Sequence, residues 1–396
     1  MMIHASQRIP TQFRLAAGKM PASWRWSLSI WLIYRLFISV WAASFWKLGL
    51  IPWEACLKYY WGIPPIVNGW EGALIGVWQR WDAIHYIRIA QNGYISSDVS
   101  AFFPLYPVLG RLLSTLLNNQ ILIALLVISN LSLILSFVLL YQFVENEFSP
   151  AAAKRTLVFL AVFPTSFFFL APYPHSLSLL LVLITYLAAH QSRWGLSFIA
   201  GLLAGLTHST VLPLVLALGY ESYAHWRETT SANKGLLLIT PLGPAIGAAL
   251  FIVWRMAVGL PPLAAMLEEY WGRIMQAPWK TLMEAVQLYL AQKLLITTWI
   301  NIALILIVIV IAILEMKFFS LSLNIYVFSS IIYLLLFTTI KEPFGSLGRY
   351  ILLIFPFFIG LSLWAKTYRR RILSFSLGVF TQLILLSAFT LWLWVE

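Results

Sequence analysis

Long apolar runs separated by short polar breaks dominate this chain. Leu294–Glu315, Phe318–Ile340 and Ile372–Val395 are clear examples. A helix needs about 20 apolar residues to cross roughly 30 Å of hydrocarbon. Such runs must be helical, because backbone amides in lipid find partners only within their own segment. The pattern predicts spans near 25–48, 102–117, 120–143, 155–171, 174–190, 194–220, 235–258, 294–315, 318–340, 348–366 and 371–394. Two stretches break it. Residues 49–101 are rich in Trp, Tyr and Pro, and 259–293 hold an amphipathic segment near 279–292. The expected fold is an all-α polytopic membrane bundle of 10–12 helices, one domain over 1–396.

Composition agrees. The chain is 61% hydrophobic and 10% charged, with mean hydropathy +0.84, where soluble domains carry about 25% charged residues. The net charge of +12 does not argue for nucleic acid. Its cations, such as Lys366, Arg369, Arg370 and Arg371, gather at helix ends, which suits cytoplasmic loops and anionic membrane lipids. The single cysteine, Cys56, allows no internal disulfide. Arg8, Arg14, Lys19 and Arg25 precede a full-length apolar run. Residues 1–24 therefore read as a cytoplasmic segment before a signal anchor.

Charge places 49–101 and 259–293 outside, with Lys317 and 366–371 inside. The middle does not close. Lys154, Arg155 and Arg193 all ask to be cytoplasmic, so one segment must not span normally: either 102–117 or a break near His208.

The chemistry concentrates in Trp78–Gly93, WQRWDAIHYIRIAQNG. As a helix it puts Asp82, His85 and Arg88 in one sector about 120° wide, shared with Trp78, Trp81 and Ile89. Ala83, Ile84, Ile87 and Ala90 lie opposite. The expected element is an interfacial amphipathic helix ended by Asn92-Gly93. An ordinary interfacial helix with snorkelling charges fits the same pattern. Next comes Ala101-Phe-Phe-Pro-Leu-Tyr-Pro107, whose prolines suit a helix start.

RWDAIHYIRIAQNGY and AFFPLYP resemble the PIG-V family, the glycosylphosphatidylinositol mannosyltransferase II family and its bacterial relatives, within the GT-C superfamily of multi-spanning glycosyltransferases. Weaker likeness extends over FPTSFFFLAPYPHS (163–176), GLLAGLTHST (201–210) and GRYILLIFPFF (348–358). The resemblance implies a GT-C-like bundle and makes Asp82 the catalytic acid of the first outer loop. It places Asp98 near a second acidic position and includes Tyr106 of the proline motif in the site. Relatives often carry an acid where His175 stands and Arg where His208 stands, so this chain departs from the family at both positions, and the resemblance does not carry over the donor or acceptor identity there.

The implied reaction moves a sugar, a mannosyl unit by family, from a polyprenyl- or dolichyl-phosphate donor. The acceptor is a hydroxyl on a glycolipid, glycan or protein, at the outer face of the plasma membrane if the chain is bacterial. Asp82 would take the acceptor proton from the water–lipid boundary. Arg349 or Arg88 would hold the leaving phosphate, with Lys341 and His85 next in line. Arg349 also reads as a snorkelling helix-end cation, Lys341–Glu342 as a solvated pair, and His175 and His208 as hydrogen-bonded core histidines. No HExxH or cysteine cluster suggests a metal centre, and no cofactor is expected; a divalent ion shared by Asp82 and the donor phosphate stays open. Two other functions fit a polytopic bundle. One is a transporter or flippase, which the lack of an inverted repeat disfavours. The other is a non-catalytic assembly subunit.

Overall fold

A computed structural model describes residues 20–226, 234–293, 295–340, 342–393 and 395. Lys341 and the basic residues before Met20 lie outside the described residues. Among the described residues the fold is helical apart from one two-stranded ribbon, Arg273–Met275 (β1) with Phe337–Thr339 (β2), paired antiparallel.

Among the described residues, five helices are long and apolar enough to cross a membrane: α1 (Ala22–Lys47), α4 (Ile121–Glu147), α9 (Lys234–Ala257), α12 (Ile296–Glu315, continued to Phe318 by a short tighter turn) and α15 (Tyr368–Thr390). Between α1 and α4 lie α2 (Asp82–Asn92) and α3 (Leu105–Ser114). Four shorter helices follow α4: α5 (Pro150–Ala161), α6 (His175–His190), α7 (Trp194–Gly205) and α8 (Leu214–His225). Helices α10 (Leu263–Trp271) and α11 (Pro278–Leu290) occupy the second loop, and α13 (Leu321–Leu336) leads into β2. A turn over Leu347–Leu353 then meets α14 (Phe355–Trp364) at 85°.

Cross-element bonds define the two ends of the bundle. At one end Trp46 Nε1 of α1 donates to Val67 O, and Arg80 Nε donates to Thr390 O at the finish of α15. At the other end Gln142 of α4 donates to Ser23 of α1, His190 faces Glu147, and Ser322 donates to Glu221. Helices α1 and α4 are therefore antiparallel. Helix α3, ten residues long, is too short to cross. Residues 49–119 stay at the Asp82 end.

This resolves the charge conflict and changes the helix count. Helices α5, α7 and α8 have 12 residues each and α6 has 16, about 18–24 Å at 1.5 Å per residue. Both pairs rise from the far end and return to it. The bases stay together, because His190 lies 3.8 Å from Glu221 and the His225 ring packs on Trp194. The tips, 162–174 and 206–213, reach the Asp82 end. Lys154, Arg155 and Arg193 thus share one end, as the charges ask. Segments expected as spans near 102–117, 155–171, 174–190 and 194–220 are instead one short helix and two turned-back hairpins.

A chain that turns inside a bundle needs partners for its freed carbonyls. Gln382 of α15 donates to Ala161 and Phe163 at the first tip, and Arg35 of α1 donates to Leu170. At the second tip the Leu105 amide donates to Leu206. Glycine lets the second hairpin seat closely on α9. A Cβ at Gly205 would fall 2.1 Å from Pro244 O, and one at Gly247 2.0 Å from Leu202 O. With Gly201 and Gly243 this forms a pair of small-xxx-small faces.

Candidate functional site

Asp82 is the first residue of α2, where the dipole of the helix favours a carboxylate. The preceding Trp81 has φ +51° and ψ −127°, a conformation that costs a non-glycine residue about 1–3 kcal/mol. The strained turn aims Asp82 into the bundle. Helix α2 starts at Asp82 rather than Trp78, so neither tryptophan shares its face. Nor does it lie in the interface: Ala83, Ile84, His85, Tyr86, Ile87, Ile89 and Ala90 are all buried. The helix does end at Asn92-Gly93, but Gly93 takes φ +76° and ψ −159° with its N–H on Ile89 O, an extended positive-φ conformation rather than a left-handed helical cap.

The Leu347–Leu353 turn brings Arg349 to this acid. Gly348 allows the approach. Its N–H donates to Asn301 Oδ1 and its carbonyl accepts from Thr165, and a Cβ there would meet Asn301 at 2.8 Å. Arg349 Nη1 then donates to Asp82 Oδ2 at 2.7 Å, and Nη2 reaches Tyr350 Oη at 3.1 Å and Ser346 Oγ at 3.4 Å. Asp82 is 7% exposed and Arg349 9%. The carboxylate expected at an open water–lipid boundary is instead enclosed by its ion pair.

Arg273, at the start of β1, completes the cluster. Its Nη1 donates to Tyr350 Oη at 2.5 Å and its guanidinium lies 4.5 Å over the Tyr350 ring. Two cations therefore share one phenol oxygen. The hairpin tips supply the floor: His208 sits 5.1 Å and His175 6.2 Å, ring to ring, from Tyr350. His208 Nδ1 is engaged by Thr210. Both ring nitrogens of the buried His175 have no hydrogen-bond partner among the described residues. The structure thus joins Asp82, Arg349, His175 and His208, four residues scattered along the chain.

Other expected site residues sort differently. Arg88 is bound to Asp98 and Ser96, so it is not available to a phosphate beside Asp82. Burial would raise the Asp98 carboxyl, but the Arg88 and Ser96 bonds outweigh it and hold it below its ordinary value. His85 lies 3.8 Å from Asp98, between the rings of Trp61, Phe102 and Trp271. Burial pushes its imidazole down to about 4, against the opposing pull of Asp82 and Asp98. Tyr106, expected at the site, is a packing residue: its hydroxyl bonds Leu125 O and Ser129 Oγ of α4. Glu342 accepts from Thr297 rather than standing as a solvated surface charge.

Sequence reasoning missed Arg273, Tyr350 and Arg80. Arg80 is wholly buried, with bonds to Tyr60 Oη, Gly76 O, Gln79 O and Thr390 O. Tyr350 stood unremarked inside GRYILLIFPFF. Arg273 follows Trp271-Gly272, and Gly272 takes φ +60°; an aromatic, glycine and arginine in the 259–293 loop were its one weak signal.

Comparison with known proteins bears on the same segment. Residues 53–227 match the family model described as Mannosyltransferase (PIG-V). The family resembled by RWDAIHYIRIAQNGY and AFFPLYP is the family matched. The matched segment contains Asp82, Asp98, His175 and His208; Arg273 and Arg349 come from beyond it. GPI alpha-1,6-mannosyltransferase 2 of Cricetulus griseus is 28% identical over 184 residues, 44% of this chain and 36% of that protein. The match thus spans about a third of the curated relative's length. Among solved structures, the oligosaccharyltransferase of Archaeoglobus fulgidus, tethered to an acceptor peptide, aligns with 93% of this chain and 55% of its own, at TM-score 0.43 and 14% identity.

Proposed function

We propose that this protein transfers a glycosyl unit, mannosyl by its PIG-V segment, from a polyprenyl- or dolichyl-phosphate sugar to an acceptor hydroxyl at the extracytoplasmic face. Asp82 is the general base, and Arg349 with Arg273 receives the donor phosphate. The observation that carries this reading is the Asp82–Arg349 pair set beside a second arginine on a shared tyrosine.

Two guanidiniums on one neutral oxygen repel each other, and Asp82 offsets only one of them. The monoanionic phosphodiester of the donor, placed between them, supplies the missing charge through bidentate contacts. In moving onto that phosphate, Arg349 lets go of Asp82. The freed carboxylate accepts the acceptor's hydroxyl proton as the new bond to the anomeric carbon forms. The bond from that carbon to the phosphate oxygen breaks, and the charge gathering on the departing lipid phosphate stays on Arg349 and Arg273. Base and donor are thereby coupled: the acid is masked until a phosphate arrives. His175 and His208, on the floor, contact the sugar or phosphate.

The test is transfer of labelled mannose from polyprenyl-phosphate mannose in membranes holding wild-type chain or Asp82→Asn. The substitution keeps shape and removes the base, so the rate falls by about 10²- to 10⁴-fold. Unchanged transfer in the variant rejects Asp82 as the base.

A further inference from the structure

At the end of the bundle opposite Asp82 lies a cavity of about 360 Å³. Its separation from the site follows from α15. The cavity uses Tyr368, Arg371, Ile372, Phe375 and Ser376 at the start of that helix, whereas Arg80 bonds its last residue, Thr390. The 23 residues of α15 make that about 34 Å. The opposing wall is α5, with Lys154, Arg155, Val158 and Phe159.

Three cations therefore face one cavity: Lys154, Arg155 and Arg371. Among the described residues none has a carboxylate within ion-pair distance. Lys154 lies 4.1 Å over the Trp26 ring, and Arg155 Nε donates to Ser362 O at 3.0 Å. These contacts orient the cations without neutralising them. Their order along the helices matters more. Helices α5 and α15 both run from this end toward the Asp82 end. From Arg155 to Phe159, and from Arg371 to Phe375, is four residues, so each apolar ring lies about 6 Å deeper than its cation. Charge at the mouth and apolar surface below, repeated on two parallel walls, matches an amphiphile rather than a free anion.

We infer that this cavity between α5 and α15 binds an anionic glycerophospholipid, its phosphate on Lys154, Arg155 and Arg371 and the start of its acyl chains against Val158, Phe159, Ile372 and Phe375. The volume holds about twelve waters at roughly 30 Å³ each, enough for a headgroup and its first methylenes. Such a lipid ties α5, the foot of the first turned-back hairpin, to α15, whose other end anchors the Asp82 loop through Arg80.

The experiment uses the full chain, purified in detergent and equilibrated with equimolar phosphatidylglycerol and phosphatidylcholine of identical chains, with bound lipid counted by native mass spectrometry. The wild-type chain retains phosphatidylglycerol in preference. In Lys154→Gln/Arg371→Gln, which spares the Arg155–Ser362 bond, the preference falls about 25-fold, at roughly 5-fold per charge near a membrane surface. A control lacking two cations at the other end, Lys47→Gln/Arg111→Gln, keeps it. Equal retention by the double variant and wild type overturns the proposal. So does a wild-type chain with no preference, a result that needs no variant to fold. Deacylated glycerophosphoglycerol and inorganic phosphate, each at millimolar concentration, leave the bound lipid in place; displacement by either marks a small-anion site and rejects the lipid.

Discussion

Asp82 and Arg349 are 267 residues apart in the chain and 2.7 Å apart in the fold. A carboxylate whose oxygen is taken by a guanidinium is not open to an acceptor hydroxyl, and the same guanidinium is not open to a phosphate. Removing one partner improves the other. Asp82→Asn should therefore bind a polyprenyl-phosphate sugar more tightly than wild type while failing to turn it over. A charged hydrogen bond is worth about 1.5–3 kcal/mol, so the gain in donor affinity is about 10-fold or more. Donor titration on the purified variant measures it. Weaker donor binding in Asp82→Asn would mean that the acid holds the donor itself, and the masking mechanism would fall.

Arg273 tests the phosphate side independently of the base. It lies outside residues 53–227, the stretch that matches the family model, and is half-buried, fixed to Tyr350 by one bond and by its ring face. Arg273→Gln removes one cation and leaves the Asp82–Arg349 pair intact. The donor KM should rise about 10- to 100-fold with the acceptor KM nearly unchanged. Arg273→Lys should recover little, because an ammonium cannot bridge phosphate and phenol as a planar fork does. A change confined to acceptor kinetics would move Arg273 to the acceptor side.

Much of this fold was legible because lipid permits few backbone solutions. Apolar length alone found α1, α4, α9, α12 and α15 within a few residues. The hairpins α5–α6 and α7–α8 were not, since a helix that turns halfway is as apolar as one that crosses. What betrayed them was charge, in the demand of Lys154, Arg155 and Arg193 for one side. Asp82 and Arg349 were legible as residue types, but their pairing was not: no local pattern links positions on α2 and the Leu347–Leu353 turn. The strained Trp81 was equally invisible, because tryptophan carries no turn signal. The burial of α2 overturned a helical-wheel argument, since a charged face in a membrane protein fits a buried cluster as well as an interface.

His85 gives a pH dependence with a definite sign. Its folded-state value is pushed down to about 4 by burial, against about 6.5 when unfolded. Between these values the unfolded chain binds a proton and the folded chain does not, so stability is lost as pH falls from about 6.5 to about 4, by roughly 3 kcal/mol. Asp82 and Asp98 pull the imidazole toward the charged form and Arg88 pushes it away. Asp98 adds to the loss only at lower pH, since its depressed value keeps the Arg88 bond until the carboxylate protonates. The thermal midpoint in detergent should thus drop from pH 7 to pH 4.5, and His85→Gln should flatten that slope. An unaltered slope in the variant would place the acid sensitivity elsewhere.

Arg80 decides whether the 49–101 loop is held by its buried cation or in spite of it. Burial pushes the guanidinium down to about 10 from 12.5, a cost of about 3 kcal/mol at 1.36 per unit. The Tyr60 bond is already contained in that cost; against it stand the carbonyl acceptors of Gly76, Gln79 and Thr390 and the rings of Trp53 and Trp392, 4.6 and 4.8 Å beneath the guanidinium. Stranding an acceptor costs about 1–3 kcal/mol, and each desolvated ring contact adds about 1–2 kcal/mol. The favourable side is larger, so Arg80→Met, which fills the space without donors, should destabilise by roughly 3 kcal/mol. Tyr60→Phe removes one acceptor and should cost about 1 kcal/mol or less. Tyr60 itself is pushed up to about 12 by burial, so its hydroxyl keeps its proton and accepts from Arg80 as a neutral group. Thermal unfolding of both variants in one detergent measures the difference. If Arg80→Met melts above wild type, desolvation outweighs the bonds, and the loop carrying Asp82 is anchored by its tryptophans instead.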